Sequence, residues 1–249
     1  MSSEDRDRRP LGPHDPAAPA PAATTRSSPA DLAAFLADAA RAPRAAAGGR
    51  LIFALDATAS RSPTWESAAR LQAQMFEEAA RVGGLSVQLV YYRGQGECRA
   101  GRWLADPRAL ADLMGRVTCA AGITQIGRVL AHAAAEAAER SVDALVFVGD
   151  ALEEEPGALL DRAAALALRG VPVFLFQEGH DARVGEVFAE VARLTGGAHV
   201  PFDAGAAARL AALLRAVAAW AAGGSTALTA LADRPDGEGA RLLLARMRD

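Results

Sequence analysis

The chain predicts an α/β fold: a mostly parallel central sheet with helices on both faces and one short antiparallel strand at its edge. Three observations carry this. The stretches 51–55, 142–149 and 171–176 are apolar with little alternation, as in strands buried on both faces. Segments with apolar residues at helical spacing separate them. Arg93-Gly-Gln-Gly96 reads as a tight turn directly after a strand, so here the chain doubles back without a helical crossover.

Each element follows in order. Residues 1–27 are rich in Pro, Ala, Ser and charge, the composition of a disordered tail. Residues 28–49 hold an N-terminal helix and a linker, with Ser28 as N-cap, Pro29 at the first helical position, and Leu32, Phe35, Leu36 and Ala39 as an apolar stripe. The α/β domain covers 50–222 and opens with the strand 51–55. Ser62-Pro63 starts the next helix, where Trp65, Ala68, Gln72, Met75, Ala79 and Val82 recur at helical spacing until Gly83-Gly84 stops it. A strand at 85–92 leads through the turn to the antiparallel edge strand at 102–104. A short helix at 109–114 precedes a longer one at 125–140, whose Ile126, Val129, Leu130, Ala133 and Ala137 face inward. Strand 142–149, helix 157–169, strand 171–176, helix 183–195, strand 198–200 and an Ala/Leu helix at 204–222 complete the alternation. Gly223-Gly224 ends that helix and the domain, and 223–249 is a C-terminal extension with a short helix over its apolar patch at 242–247.

Composition narrows the functional classes. With 27 basic and 30 acidic residues the net charge is -3, which gives no electrostatic case for nucleic acid. Every basic residue is Arg, so Schiff-base chemistry and the lysine of a phosphate-binding P-loop are excluded. No apolar run approaches the roughly 20 residues that span a bilayer. No apolar segment follows the N-terminal arginine pair to make a secretion signal, so the expectation is a cytoplasmic protein without a membrane partner. Cys98 and Cys119 lack metal-ligand or CxxC spacing and read as reduced packing thiols, with a disulfide between them left open. His14, His132, His180 and His199 show no zinc spacing.

The candidate chemistry sits at the end of the first strand. Asp56, Thr58 and Ser60 stand at alternate positions where an open α/β sheet binds ligands. Thr124 lies just before a helical pattern, and Asp150 closes a second buried strand. Two carboxylates and three hydroxyls make a hard-cation site, suited to Mg²⁺ or to Mn²⁺ or Ca²⁺. Taken singly, Thr124 reads as a helix N-cap, Asp150 as a turn residue and Ser60 as a loop hydroxyl. Glu153-Glu154-Glu155 reads first as a solvated acidic start to the next helix. The alternative is that these acids discourage acidic ligands or supply a ligand in trans.

This order of elements, with one edge hairpin in a parallel sheet, resembles the von Willebrand factor A domain over roughly residues 50–222. That family carries a metal-ion-dependent adhesion site: Asp-x-Ser-x-Ser after the first strand, a distant Thr, and an Asp after the fourth strand. Asp56 matches the first Asp, Thr58 stands where Ser is usual, Ser60 matches the second Ser, Thr124 the Thr and Asp150 the later Asp. Gly149-Asp150-Ala151 departs from the commoner Thr-Asp-Gly. The resemblance implies a metal-binding, bacterial, intracellular protein-interaction module and not an enzyme. A protein partner's Asp or Glu would complete the coordination of Mg²⁺ (or Mn²⁺ or Ca²⁺), and the partner class implied is an ATPase or chaperone component. The alternatives are a metal-free scaffold of the same fold that binds through helix faces, and a phosphatase resembling the haloacid dehalogenases. The phosphatase is disfavoured because Thr58 takes the place of its second Asp and no lysine is present.

Overall fold

β1 (Gly49–Asp56) is buried at all eight positions, and the sheet grows from it in both directions. The structure is a computed structural model that describes residues 48–59, 75, 77–79, 81–82, 84–203 and 206–247. β2 (Leu85–Arg93) pairs parallel to one edge of β1, and β4 (Ala144–Gly149) pairs parallel to the other. β3 (Glu97–Leu104) folds back antiparallel on β2, while β5 (Val173–Glu178) and β6 (Ala198–Phe202) extend the parallel side. The sheet order is β3-β2-β1-β4-β5-β6. This is the mostly parallel sheet with one antiparallel edge strand that the sequence predicts. β3 is longer than expected, because Arg99, Ala100 and Arg102 face solvent and break up the apolar signal.

Continuous apolarity in β1 serves two cores. Leu51, Phe53 and Leu55 point to one side, and Ile52 and Ala54 point to the other, as the two-residue period of a strand requires. On the first side lie α1 (Pro107–Gly115), α5 (Ala207–Ala232) and α6 (Glu238–Arg246), with Met75 and Ala79 among them. On the second lie α2 (Ile126–Glu139), α3 (Pro156–Ala167) and α4 (Ala182–Thr195). Three of these helices start on acidic caps: Asp106, Glu155 and Asp181 accept from first-turn amides. Both Pro107 and Pro156 stand in the first turn, where a missing N–H costs nothing.

The helix predicted at 204–222 stops at its glycine pair, and a second helical run follows. Gly224 adopts φ 65°, ψ -155°, which is not helical, so Gly223-Gly224 ends one helical run, and a second run within α5 continues to Ala232. Leu228 and Leu231 beyond the bend, and Ala240 and Leu243 of α6, join the core beside β1 and β2. Buried apolar side chains thus bring the run beyond the stop into the core. Counted across its break at Gly224, α5 spans 26 residues with a mean hydropathy of 1.2 over its most apolar stretch, enough by length and composition alone to cross a membrane. Half of that stretch is buried within the fold. Arg234 ties this region down by pairing with the buried Glu78 at 2.8 Å and with Asp236 at 2.9 Å.

At the amino ends of the strands, Arg50 anchors the edge of the sheet. Its guanidinium lies 3.8 Å over the Trp103 ring and donates to Glu136 of α2 at 3.2 Å. Trp103 and Gln88 donate to the same carboxylate. The helix predicted from Ser28 lies outside the described residues, as does most of the one predicted from Ser62.

Candidate metal site

Four of the five predicted oxygen donors meet where β1 and β4 end. Asp56 is the last residue of β1, Asp150 follows the last residue of β4, and pairing of Leu55 with Val148 sets the two strand ends side by side. The chain leaves β1 for β2 on one side and returns to β4 on the other, which opens the crevice where α/β sheets bind ligands. A cavity of about 250 Å³ occupies it, lined by Asp56, Thr58, Thr124, Asp150 and Glu153 among others. Ser60 lies outside the described residues. Two larger cavities, of about 460 and 420 Å³, lie elsewhere: one beside His199 and Arg246, the other beside Arg50 and Trp103. Neither gathers the predicted donors.

Asp56 is held from both sides. It is 2% exposed, and Thr58 donates to Oδ1 through its amide at 2.7 Å and bonds the carboxylate through its hydroxyl. The phenol of Tyr92, wholly buried, donates to Oδ2 at 3.0 Å. Tyr92 is the register partner of Asp56 in β2, so backbone pairing alone delivers it. Burial pushes the Asp56 carboxyl above its usual range, the Thr58 and Tyr92 bonds draw it back, and the charge of Asp150 adds to the upward push. Burial first, and the Asp56 charge next, hold the Tyr92 phenol well above its ordinary value, so it stays a proton donor.

Thr124 is 4% exposed and is locked to the loop that follows β4. Its amide donates to Glu153 Oε2 at 2.8 Å, and its Oγ1 accepts from the Glu153 amide at 2.9 Å. Glu154 accepts from the amides of Ile126 at 2.5 Å and Gly127 at 2.9 Å, so its carboxylate caps α2 from across the crevice. The predicted acidic start to the next helix therefore holds for Glu155, which caps α3, and not for Glu153 or Glu154. Thr124 is not the N-cap of α2; Gln125 occupies that position without a side-chain cap bond. The Gln125 amide instead reaches the carbonyls of Arg93 and Gly94 in the β2–β3 turn at 3.3 and 3.4 Å.

The Gly-Asp-Ala departure has a packing cause at its first position. A Cβ on Gly149 would stand 2.7 Å from the Phe147 ring, so a Thr there would force the ring or the strand to move. Cys98 and Cys119 are both half-buried and are not joined in a disulfide.

The residues fit a hard divalent cation on two counts. Asp150 Oδ1 is buried with no hydrogen-bond partner among the described residues, a costly state that a cation relieves. The donors are all oxygen, as Mg²⁺, Mn²⁺ and Ca²⁺ prefer. Among the described residues no group of three or more His, Cys, Asp or Glu side chains could hold a metal, so the hydroxyls are essential to the set. Sequence reasoning missed Tyr92 and misplaced Glu153 and Glu154. The pairing of two apolar strands, with Tyr92 as far along β2 as Asp56 along β1, was the signal available for the first.

No protein-family model matches the sequence, and no curated protein matches it. Solved structures share its architecture. A von Willebrand factor type A protein from Catenulispora acidiphila superposes with a TM-score of 0.54 at 19% identity, covering 69% of this chain and 42% of that one. The SpRpn10 VWA domain gives 0.52 at 10% identity, covering 64% of this chain and 90% of its own. An aerotolerance-related membrane protein from Bacteroides fragilis gives 0.51 at 14% identity, over 81% and 99%. This chain thus spans less than half the length of the Catenulispora protein. With its central β1, its antiparallel β3 and helices on both faces, the chain has the fold of a von Willebrand factor A domain.

Proposed function

We propose that this chain is a divalent-cation-dependent protein-binding module and not an enzyme. Asp56, Thr58, Ser60, Thr124 and Asp150 hold Mg²⁺, or Mn²⁺ or Ca²⁺, and an Asp or Glu of a protein partner completes the coordination. The observation that carries this is Asp150 Oδ1, buried with no hydrogen-bond partner among the described residues, beside the buried carboxylate of Asp56. The bound ion supplies an electrophilic centre for an oxygen ligand. The chain's own part is to hold its donors in place: Tyr92 and Thr58 fix Asp56, and Glu153 fixes Thr124. The partner class proposed, an ATPase or chaperone component in the cytoplasm, rests on the resemblance; two cysteines that are not joined in a disulfide are consistent with a reducing compartment.

One observation favours a metal-free scaffold that binds through helix faces. The first amides of α2, which attract anions in an uncapped helix, are already satisfied by Glu154. Thermal unfolding separates the two readings. Wild type and Asp56→Ala are melted in chelator and in Mg²⁺, Mn²⁺ or Ca²⁺. A ligand at about 100 times its dissociation constant stabilises by roughly 2.7 kcal/mol, worth a few degrees in a domain of this size. The expected result is a cation-specific rise in wild type that is absent in the variant. Equal melting under every condition would favour the scaffold.

A further inference from the structure

The residues on either side of Thr124 are fastened to the turn between β2 and β3. Gly122 packs so close to Gly94 of that turn that a Cβ on it would stand 2.2 Å from the Gly94 nitrogen. The Ile123 amide donates to the Gly94 carbonyl at 3.2 Å. Gln125, only 5% exposed, lays its side-chain amide on the same turn, toward the carbonyls of Arg93, Gly94 and Glu97 at 3.3, 3.4 and 3.5 Å. Its Oε1 accepts from Arg128 at 3.0 Å. Arg93 braces the turn itself, donating to the Glu97 carboxylate and to the carbonyl and hydroxyl oxygens of Thr118. A side chain at the N-cap position ordinarily serves the first-turn amides; Glu154 serves them here, which releases Gln125 for the turn. Tyr92, the donor to Asp56, directly precedes Arg93, so one hairpin reaches two of the four converging donors.

We infer that Gln125 is a positioning residue of the cation site: it ties the Thr124 segment to the β2–β3 turn and so holds the Thr124 hydroxyl at the crevice. This rests on the cation-dependent reading proposed above. A hydroxyl carries no formal charge, so its worth as a ligand depends on standing in place before the ion arrives. A buried amide satisfied on both its nitrogen and its oxygen has one orientation and passes the rigidity of the turn to the residue before it. Glu153 fixes Thr124 from the β4 side, and Gln125 fixes it from the hairpin side.

Calorimetric titration of Mg²⁺ and Mn²⁺ into the full chain, well below every melting transition, tests this on wild type, Gln125→Met, Gln125→Asn, Thr195→Val and Asp150→Asn. Met keeps the length of Gln and removes its hydrogen bonds; Asn is the milder change, one methylene too short to reach the turn. Thr195→Val is the control for stability, since Thr195 bonds the Val173 amide and the Val191 carbonyl at the amino end of β5, away from the crevice. Wild type and Thr195→Val are expected to bind alike, and both Gln125 variants about 10-fold more weakly or worse, as when a residue that orients a metal ligand is lost. In chelator, amide exchange at Ile123 and Thr124 should accelerate in Gln125→Met before it changes in β1 or β4. A folded Gln125 variant that binds as wild type does, even with a lower melting temperature, overturns the inference. So does unchanged exchange at both amides, or an equal weakening in Thr195→Val. Each of these leaves the cation site standing if Asp150→Asn has lost binding. If wild type binds neither ion, or Asp150→Asn binds as wild type does, the cation reading falls and this inference with it.

Discussion

Tyr92 shows how one side chain in a core can carry a functional burden. Its ring packs 6.2 Å from that of Phe147, nearly parallel, while its hydroxyl is the donor for Asp56 Oδ2. Tyr92→Phe keeps the packing and leaves a buried carboxylate oxygen without its partner. A hydrogen bond to a charged group contributes about 1.5–3 kcal/mol, so the variant should lose stability of that order at neutral pH. Urea unfolding measures it, and an unchanged midpoint would mean that Asp56 finds another donor.

At the scale of elements, acids crossing between loops assemble the site. Glu155 caps its own helix, but Glu154 caps α2, and Glu153 bonds the residue two before it. Glu154→Ala strips α2 of two first-turn hydrogen bonds and of a negative charge at its positive end. Losing a helix cap of this kind costs about 0.5–2 kcal/mol. Amide exchange should accelerate at Ile126 and Gly127 well before it changes in β1 or β4. Uniform acceleration across the domain would show that the clamp is not local. The run of three acids was visible in sequence, but its partners lie 27 to 29 residues away and arrive only when α2 packs beside β4.

For the whole molecule, pH tests the far edge of the sheet. His199 of β6 bonds Gln177 of β5 at 2.9 Å and packs edge-on to Phe188 of α4 at 6.1 Å. Burial first, and the charge of Arg246 in α6 next, lower its pKa from 6.5 to about 4. The folded chain therefore keeps this ring neutral while the unfolded chain protonates it. Its contribution is complete above pH 6.5 and is lost as pH falls from 6.5 toward 4. With solvent screening of the partly exposed ring allowed for, the loss is on the order of 2 kcal/mol. Melting of wild type should fall more steeply across that window than melting of His199→Gln, and parallel curves would remove His199 as a cause.

The sequence by itself determined the α/β class, the parallel sheet with its antiparallel edge, and four donors that do converge. These are legible because unbroken apolar runs specify strands buried on two faces, and because ligands gather at the carboxyl ends of such strands. Tertiary structure alone decided the rest. Gly223-Gly224 stops the first run of α5 as its local signal says, yet burial of Leu228 and Leu231 draws a second helical run, past the predicted domain end, into the core. Tyr92, Glu153 and Glu154 reach their partners through strand register and helix packing, contacts between residues 27 to 36 positions apart that no local pattern encodes.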